Sequence, residues 1–166
     1  MMKVCFIGHR KVEETERVKS LIKEVVEVLI QKGATIFLFG SKSAFNDLSL
    51  EVVTELKKKY NYIKRVYVRA EYQYIDKSYE EYLLTYFDET YFPSKIMNAG
   101  KSSYVERNYE MIDNSTYCIF YYNENYVPTK RPLKNEKLIL PSRNSGTKIA
   151  YEYAKRKKKE IINLYH

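Results

Sequence analysis

Three short stretches of the sequence place glycine beside side chains that bind anions. They are Gly8-His9-Arg10 after the first apolar run, Gly40-Ser41 after the second, and Ser145-Gly146-Thr147 near the end of the chain. Glycine lets backbone N–H groups approach a ligand closely, and the first amides of a helix attract negative charge. Arg10 adds a planar guanidinium that matches a phosphate or a carboxylate. Together, the three stretches predict a site for an anionic group.

Each stretch also has a plain structural explanation. Glycine is common in turns that bind nothing. His9 is equally well explained as a capping or packing residue. The stretches therefore predict a site only if they meet in space. We expect residues 8–10, 40–41 and 145–147 to lie at one edge of a sheet, with their amides directed at a shared anion.

The elements that position these stretches follow from the pattern of apolar residues. Continuous or alternating apolar runs predict strands over residues 3–7, 34–39, 62–69, 116–122 and 160–164. Helical spacing of apolar residues predicts helices over 13–32, around 45–56, and over 79–87, 102–114 and 147–159. Ser102 or Ser103, with Glu106 in the first turn, is expected to cap the fourth helix.

Strands that alternate with helices indicate a parallel sheet covered on both faces. We expect an α/β, Rossmann-like fold with a mostly parallel sheet and helices on both faces, in a single domain over residues 1–166. Ligands bind such sheets beyond the carboxyl ends of the strands, near the switch in strand order. Residues 70–100 look less regular, and residues 123–144 read as a polar loop with a candidate short strand at 137–140.

The composition restricts the classes of partner. The net charge of +8 suggests nucleic acid, but lysine and arginine cluster at 57–59 and 155–159, at predicted helix C-termini. Cations there complement the helix dipole, so nucleic acid is an unlikely partner by this interpretation. No apolar stretch approaches the ~20 residues of a membrane helix, and no signal sequence opens the chain, so we expect no membrane association.

The cysteines and histidines indicate neither disulfides nor metal. Cys5 and Cys118 both fall in predicted strands, which favours buried, reduced thiols and a cytoplasmic protein. His9 and His166 have no ligand spacing to each other or to the cysteines. We therefore expect no metal and no cofactor.

Four longer segments resemble a known superfamily: CFIGHR, FGSKSAFNDLSLEVV, SSYVERNYEMIDNSTYCIFYYN and SGTKIAYEYAKRKKKEIINL. They are similar to the SLOG superfamily, the Rossmann folds related to DNA-processing protein A and to the cytokinin-activating lonely-guy proteins, and most similar to its YpsA-like branch. The resemblance spans nearly the whole chain and is weakest over residues 70–100. It implies a nucleotide or nucleotide-derived ligand over the carboxyl edge of the sheet.

The resemblance also implies which residues form the site. Gly8, His9 and Arg10 would line its floor, and Gly40 and Ser41 would form a second turn. The remaining residues would be a helix facing the site and a phosphate-binding turn, namely Arg107, Asn108, Asp113, Ser145, Gly146 and Thr147. From the residues alone, Asp113 is as well explained as a structural hydrogen-bonding group.

The sequence departs from the enzymes of the superfamily where their catalysis resides. Those enzymes carry a glutamate soon after the Gly-Thr pair, whereas here Gly146-Thr147 is followed by Lys148 and Ile149. Cleavage of an N-glycosidic bond needs a carboxylate near the ribose. The candidates in this chain are Asp113, Glu106 and Glu152. The sequence therefore retains the residues expected for ligand binding better than those expected for catalysis.

Residues 70–93 are rich in aromatic side chains, which can stack on a base. Ordinary core or subunit packing explains the same residues. The residues are Tyr72, Tyr74, Tyr79, Tyr82, Tyr86, Phe87, Tyr91 and Phe92.

Three functions follow from these observations. The first is binding of a nucleotide or nucleotide-derived molecule, to sense or sequester it in a nucleotide-signalled defence or stress pathway. The first alternative is an N-glycosidic hydrolase of nucleoside monophosphates. The second alternative is single-stranded nucleic-acid binding, which would draw on the charge and the aromatic residues. Assembly into a homo-oligomer is compatible with each.

Overall fold

The computed structural model describes residues 1–96, 100–126 and 145–166. Within these residues the chain forms one sheet of six strands. In chain order they are β1 Met2–Gly8, β2 Ala34–Phe39, β3 Lys64–Val68, β4 Glu89–Tyr91, β5 Tyr117–Tyr121 and β6 Glu160–Asn163. All neighbouring strands pair in parallel, in the order β4-β3-β2-β1-β5-β6. The predicted α/β, Rossmann-like fold is confirmed.

The strand order reverses at β1, because the chain moves outward from β1 through β2, β3 and β4 and then returns to the other side of β1 with β5. The helices of the described residues are α1 Thr15–Gln31, α2 Ala44–Lys57, α3 Lys77–Tyr86, α4 Ser103–Asn114 and α5 Gly146–Arg156. Each connects parallel strands, so it runs opposite to them. The helices therefore begin at the carboxyl edge of the sheet.

The two faces of the sheet have separate hydrophobic cores. On one face α1 and α2 bury apolar side chains against alternating strand residues such as Phe6, Phe37 and Tyr121. On the other face α4 and α5 cover the intervening strand residues, including Ile7 and Phe120. This alternation is what a sheet covered by helices on both sides requires.

A partly buried ion pair fixes the amino edge of the sheet. Asp88, just before β4, accepts hydrogen bonds from the backbone N–H of Arg65 and from its Nε at 2.8 and 3.1 Å. Lys57, the last residue of α2, lies 3.3 Å from the same carboxylate. Burial alone would raise the pKa of Asp88, but the hydrogen bonds from Arg65 and Lys57 lower it to about 2.

Most predicted elements occur within a few residues of their expected bounds, and three expectations need comment. The strand β4 was not predicted. The side-chain cap expected from Ser102 or Ser103 is wrong, because residues Gly100–Ser102 form a 3-10 turn and Ser102, at ψ 3°, is not extended as a capping residue is. Ser103 Oγ instead donates to the carbonyl of Gly100 at 2.5 Å. The candidate strand at 137–140 lies outside the described residues.

The two cysteines are buried in strands, as the sequence predicted, and they lie side by side in the core. Cys5 of β1 pairs with Cys118 of β5 across the sheet, and both thiols are free and fully buried. A hydrogen bond between the two thiols, together with burial, raises the pKa of Cys118 far above its ordinary value. The Cys118 thiol is therefore protonated.

Candidate functional site

The turn after β1 and the turn after β2 are joined into one unit. The amide of Ala44 donates to the carbonyl of Arg10 at 3.0 Å. The buried Asn46 side chain accepts from the amide of Gly40 and donates to the carbonyl of Phe6, both at 3.2 Å. Residues 8–10 and 40–41 thus meet at the carboxyl edge of the sheet, where the sequence placed them.

Both turn glycines make room for protein side chains. A Cβ atom on Gly8 would lie 2.5 Å from the ring of Phe45. A Cβ atom on Gly40 would lie 2.5 Å from Cδ of Arg107 and 2.8 Å from the sulfur of Met111. Packing within the protein therefore explains both glycines without a ligand.

The N-terminus of α2 is already occupied by protein groups. Ser43 Oγ accepts from the amide of Asn46 at 3.1 Å and caps the helix. Ser41 Oγ accepts from Asn46 Nδ2 at 2.7 Å, and the Ala44 amide is used by Arg10 as described above. The Arg10 side chain itself is exposed. The turn of residues 40–46 is therefore a rigid support rather than an open cradle of amides.

His9 is buried, with one ring nitrogen engaged and the other free. Only 3% of the residue is exposed, and its Nε2 accepts from the amide of Asn123 at 2.9 Å. Its Nδ1 has no hydrogen-bond partner within the described part of the chain. The ring stacks on Tyr126, with centroids 4.0 Å apart. Burial lowers the pKa of His9 and the Asn123 hydrogen bond opposes this, so the imidazole is neutral with its proton on Nδ1.

Arg107 is the most unusual charge at this edge. It lies on the second turn of α4, only 3% exposed, and its Nη1 donates to the carbonyl of Gly40 while its Nε donates to Asn108 Oδ1 at 3.2 Å. Among the described residues no carboxylate forms an ion pair with it. Of the five N–H donors on a guanidinium, these contacts use two.

The surroundings of Arg107 are aromatic and weakly negative. The Tyr104 ring lies over the guanidinium, 5.5 Å from Cζ to the ring centroid, and the Tyr104 hydroxyl donates to the carboxylate of Glu71. Burial lowers the pKa of Arg107, and the nearby Tyr67, Tyr104 and Glu71 partly oppose the shift. The guanidinium nevertheless keeps its charge, because an arginine starts from a pKa above 12. It is a desolvated cation satisfied only by neutral acceptors.

The N-terminus of α5 lies at the same edge of the sheet. Ser145 caps it by accepting from the amide of Lys148 at 3.0 Å. A Cβ atom added to Gly146 would meet no atom of the described residues within 4 Å. Thr147 is buried.

Aromatic contacts link this helix to the first turn. Tyr151 of α5 stacks on Tyr122 with centroids 4.6 Å apart, and Tyr122 lies 5.9 Å from the His9 ring. Residues 145–147 therefore begin a helix at the edge that also holds residues 8–10 and 40–41. All five helices of the described residues start at this edge, and α4 and α5 pack side by side there on one face.

The three carboxylates proposed for catalysis lie apart from Arg107. At a rise of about 1.5 Å per residue, Asp113 lies about 9 Å further along α4, and its carboxylate accepts from Lys95 and Tyr153 at 3.1 and 2.7 Å. Glu106 projects about 100° away from Arg107 around the helix. Glu152 is exposed on α5. None of the three is hydrogen-bonded to Arg107 or His9 in the ranges that the structure covers.

The aromatic residues of 70–93 mostly pack on one another or in the core. Phe87 stacks on Tyr67 at 5.0 Å, and Tyr79, Tyr82 and Tyr86 form a row along α3. The ring that covers Arg107 belongs to Tyr104, outside this segment. The segment contributes Glu71, which the sequence did not single out.

Four residues at the edge were missed by sequence reasoning: Asn46, Glu71, Tyr104 and Asn123. Of these, only Tyr104 had a readable signal, because it precedes Arg107 by three residues on a predicted helix and so shares its face. The others reach the site through contacts far apart in sequence, such as that of Asn46 with Phe6.

The described residues contain neither a cluster of metal-ligating side chains nor a helix suited to a membrane. No three His, Cys, Asp or Glu side chains cluster closely enough there to hold a metal ion. Among the helices described, none has both the length and the apolar character to cross a membrane.

Comparison with known protein families gives a match over most of the chain. The model of a family described as the YspA SLOG family matches residues 5–160, from β1 to the start of β6. No curated protein matches the chain. The match agrees with the resemblance carried by the four sequence segments, and it includes every residue of the carboxyl edge discussed above.

Proposed function

Because the chain belongs to the YspA SLOG family, we propose that it binds a nucleotide or nucleotide-derived ligand at the carboxyl edge of its sheet. The role of this binding is to sense or to sequester the molecule. The site comprises the turns of residues 8–10 and 40–41, the α4 residues Arg107 and Asn108, and the N-terminus of α5.

Arg107 carries this proposal. A buried charge is costly unless an opposite charge or a set of hydrogen bonds compensates it. Here the guanidinium is held by one backbone carbonyl and one side-chain amide, with no carboxylate partner among the described residues. Its free donors suit the oxygens of a phosphate, which a guanidinium binds in a bidentate manner. An anionic ligand would supply the missing counter-charge.

The N-terminus of α5 supports the same interpretation. Within the described residues, the space around Gly146 permits an oxyanion to approach the first amides of the helix, and the helix dipole favours it there. A guanidinium and a helix N-terminus at one edge suit a ligand that carries at least one phosphate. The neutral, buried His9 with its Nδ1–H provides a further donor nearby.

Binding fits the site better than cleavage does. An N-glycosidic hydrolase needs a carboxylate beside the ribose. Asp113 is engaged with Lys95 and Tyr153, and neither Glu106 nor Glu152 is hydrogen-bonded to Arg107. Incubation with nucleoside monophosphates followed by chromatography tests this choice. We expect no free base, and released base would favour the hydrolase.

The cellular setting is also part of the proposal. Two buried, free thiols suit a reducing compartment, so we place the protein in the cytoplasm. A protein that binds a nucleotide signal without consuming it would serve a defence or stress pathway. Self-association through the exposed tyrosines of α3 is compatible with this role.

Isothermal titration calorimetry tests the binding itself. The panel should include adenosine monophosphate, cyclic dinucleotides and ADP-ribose, each titrated into the wild type and the Arg107→Met variant. Arg156→Met is a matched control, because Arg156 is exposed in the last turn of α5, at the opposite edge. We expect micromolar binding of at least one ligand, lost in Arg107→Met and retained in the control. No binding below about 1 mM by the wild type would refute the proposal.

A further inference from the structure

The guanidinium of Arg107 is almost closed off from solvent in the structure. Only 3% of the residue is exposed, which leaves too little surface for an anion to contact two of its N–H groups unless a covering group moves. The Tyr104 ring lies on one side of the guanidinium, and the Gly40 carbonyl is fixed in the turn after β2. Tyr104 is the mobile candidate, since 51% of it is exposed.

Tyr104 is held in place by Glu71. The phenol hydroxyl donates to the Glu71 carboxylate and so joins α4 to the loop that follows β3. Glu71 is itself exposed and has no other hydrogen bond among the described residues. A single hydrogen bond between two exposed side chains contributes little net free energy, so thermal motion opens it readily.

The backbone of the loop that carries Glu71 is anchored on both sides of that residue, so movement of Glu71 is confined to its side chain. Arg69 Nε donates to the carbonyl of Tyr72, and its Nη2 donates to the carbonyl of Gln73, both at 3.3 Å. An open cleft of about 520 Å³ borders the loop, lined by Gln73, Tyr74 and residues of α3 and β4. Neither Tyr104 nor Arg107 lines this cleft, so it offers room away from the guanidinium.

Glu71 also places a negative charge beside Arg107 without pairing to it. The carboxylate is bound to Tyr104 rather than to the guanidinium, yet its charge still acts on the arginine. A ligand anion that binds Arg107 would enter a region already held by a carboxylate. Like charges in such proximity weaken the binding of the second one.

We propose that Glu71 and Tyr104 form a latch over Arg107, in which the Glu71 carboxylate competes with the anionic group of the ligand. The latch sets the affinity of the site, because a ligand must open it and displace Glu71 before its phosphate contacts the guanidinium. This inference rests on the proposed function for the identity of the ligand. The closure over Arg107 is a property of the unliganded protein.

Chemical modification of Arg107 tests the closure without any ligand. Phenylglyoxal reacts with accessible guanidinium groups, and peptide mass spectrometry reports the rate at each arginine. We expect slow modification of Arg107 in the wild type and at least a 5-fold faster rate in Tyr104→Phe and Glu71→Gln. Arg17, which is exposed, serves as the internal reference in each sample. Equal Arg107 rates in all three proteins would overturn the latch.

Binding measurements test the competition. Inorganic phosphate and adenosine monophosphate are titrated into the wild type, Glu71→Gln and the control Glu81→Gln, whose side chain is exposed on α3. Removing one negative charge near the guanidinium is expected to tighten binding about 3- to 10-fold. Glu81→Gln should leave the affinity for both anions unchanged. Unaltered or weaker binding in Glu71→Gln would overturn the competition.

The two measurements separate this inference from the proposed function. Faster modification in Tyr104→Phe and Glu71→Gln, with no ligand of the calorimetric panel bound by any variant, would support the closure and refute the nucleotide site. Wild-type binding with unchanged modification rates would support the nucleotide site and refute the latch. Thermal unfolding of each variant confirms that a changed rate does not come from loss of the fold.

Discussion

Replacement of Arg107 by methionine should weaken ligand binding strongly and alter stability little. Methionine matches the aliphatic part of the arginine side chain and removes the charge. Two opposing effects act on the free energy of unfolding. Loss of the Arg107 donor leaves the Gly40 carbonyl without its partner, which costs about 1–3 kcal/mol. Removal of a desolvated charge returns about 1–4 kcal/mol.

These effects nearly cancel, so we expect the free energy of unfolding to change by less than about 1.5 kcal/mol. No second effect offsets the loss of binding free energy. Two charge-assisted hydrogen bonds to a phosphate contribute about 3–6 kcal/mol, so affinity should fall at least 100-fold. Arg107→Lys keeps the positive charge but loses the planar, bidentate donor geometry of the guanidinium. Its affinity for the ligand should therefore lie between the affinities of the wild type and Arg107→Met.

Urea unfolding and calorimetric titration measure the two quantities on the same preparations. A loss of more than about 3 kcal/mol in stability, with unchanged affinity for every nucleotide, would refute this reasoning. That result would identify Arg107 as a structural residue with a counter-charge of its own.

Three further predictions concern the supporting structure. Burial lowers the pKa of His9 in the folded state, so the free energy of unfolding of the wild type should fall as pH decreases from 7 to 5.5. Urea unfolding of His9→Gln should show a weaker dependence of this free energy on pH. Gly40→Ala should lower the free energy of unfolding by about 1–3 kcal/mol, and Arg107→Ala should partly restore it in a double-mutant cycle. Gly146→Ala, whose added Cβ meets no described atom within 4 Å, should lower it by less than about 0.5 kcal/mol. Equal losses at both glycines would contradict this. Asp88→Asn should cost about 1–2 kcal/mol at pH 7, allowing for partial solvent screening. The pKa of Asp88 is about 2 in the folded state, so its contribution to stability is present above pH 4 and is lost as pH falls toward 2. An acid-unfolding profile that Asp88→Asn leaves unchanged would disprove this contribution.

The fold could be predicted from the sequence because its elements are strongly patterned. The strand Ala34–Phe39 is a continuous apolar run that only a doubly covered strand accommodates, and its predicted and observed bounds agree. The strand Glu89–Tyr91 was missed because three residues with one charge show no periodicity. It forms by pairing with β3, which is a tertiary effect that local sequence does not contain.

The meeting of the glycine turns at one edge of the sheet could be predicted, because parallel strands deliver their carboxyl ends to one side. The arrangement of side chains around Arg107 could not. The sequence assigned the anion to amides at those turns, whereas the structure satisfies the amides of residues 40 and 44 internally. The surroundings of Arg107 depend on its contacts with Gly40 and Tyr104. The position of Tyr104 depends in turn on its hydrogen bond to Glu71. Contacts separated by 33 and 67 residues cannot be read from spacing along the chain.

The most direct measurement is a crystal structure of the protein grown with adenosine monophosphate, a cyclic dinucleotide and ADP-ribose together. We expect density for one ligand at the carboxyl edge, with a phosphate oxygen within about 3 Å of an Arg107 Nη atom and Glu71 withdrawn from Tyr104. Density at the lysine cluster of residues 155–159, or a phosphate that leaves Arg107 uncontacted, would contradict the proposed site.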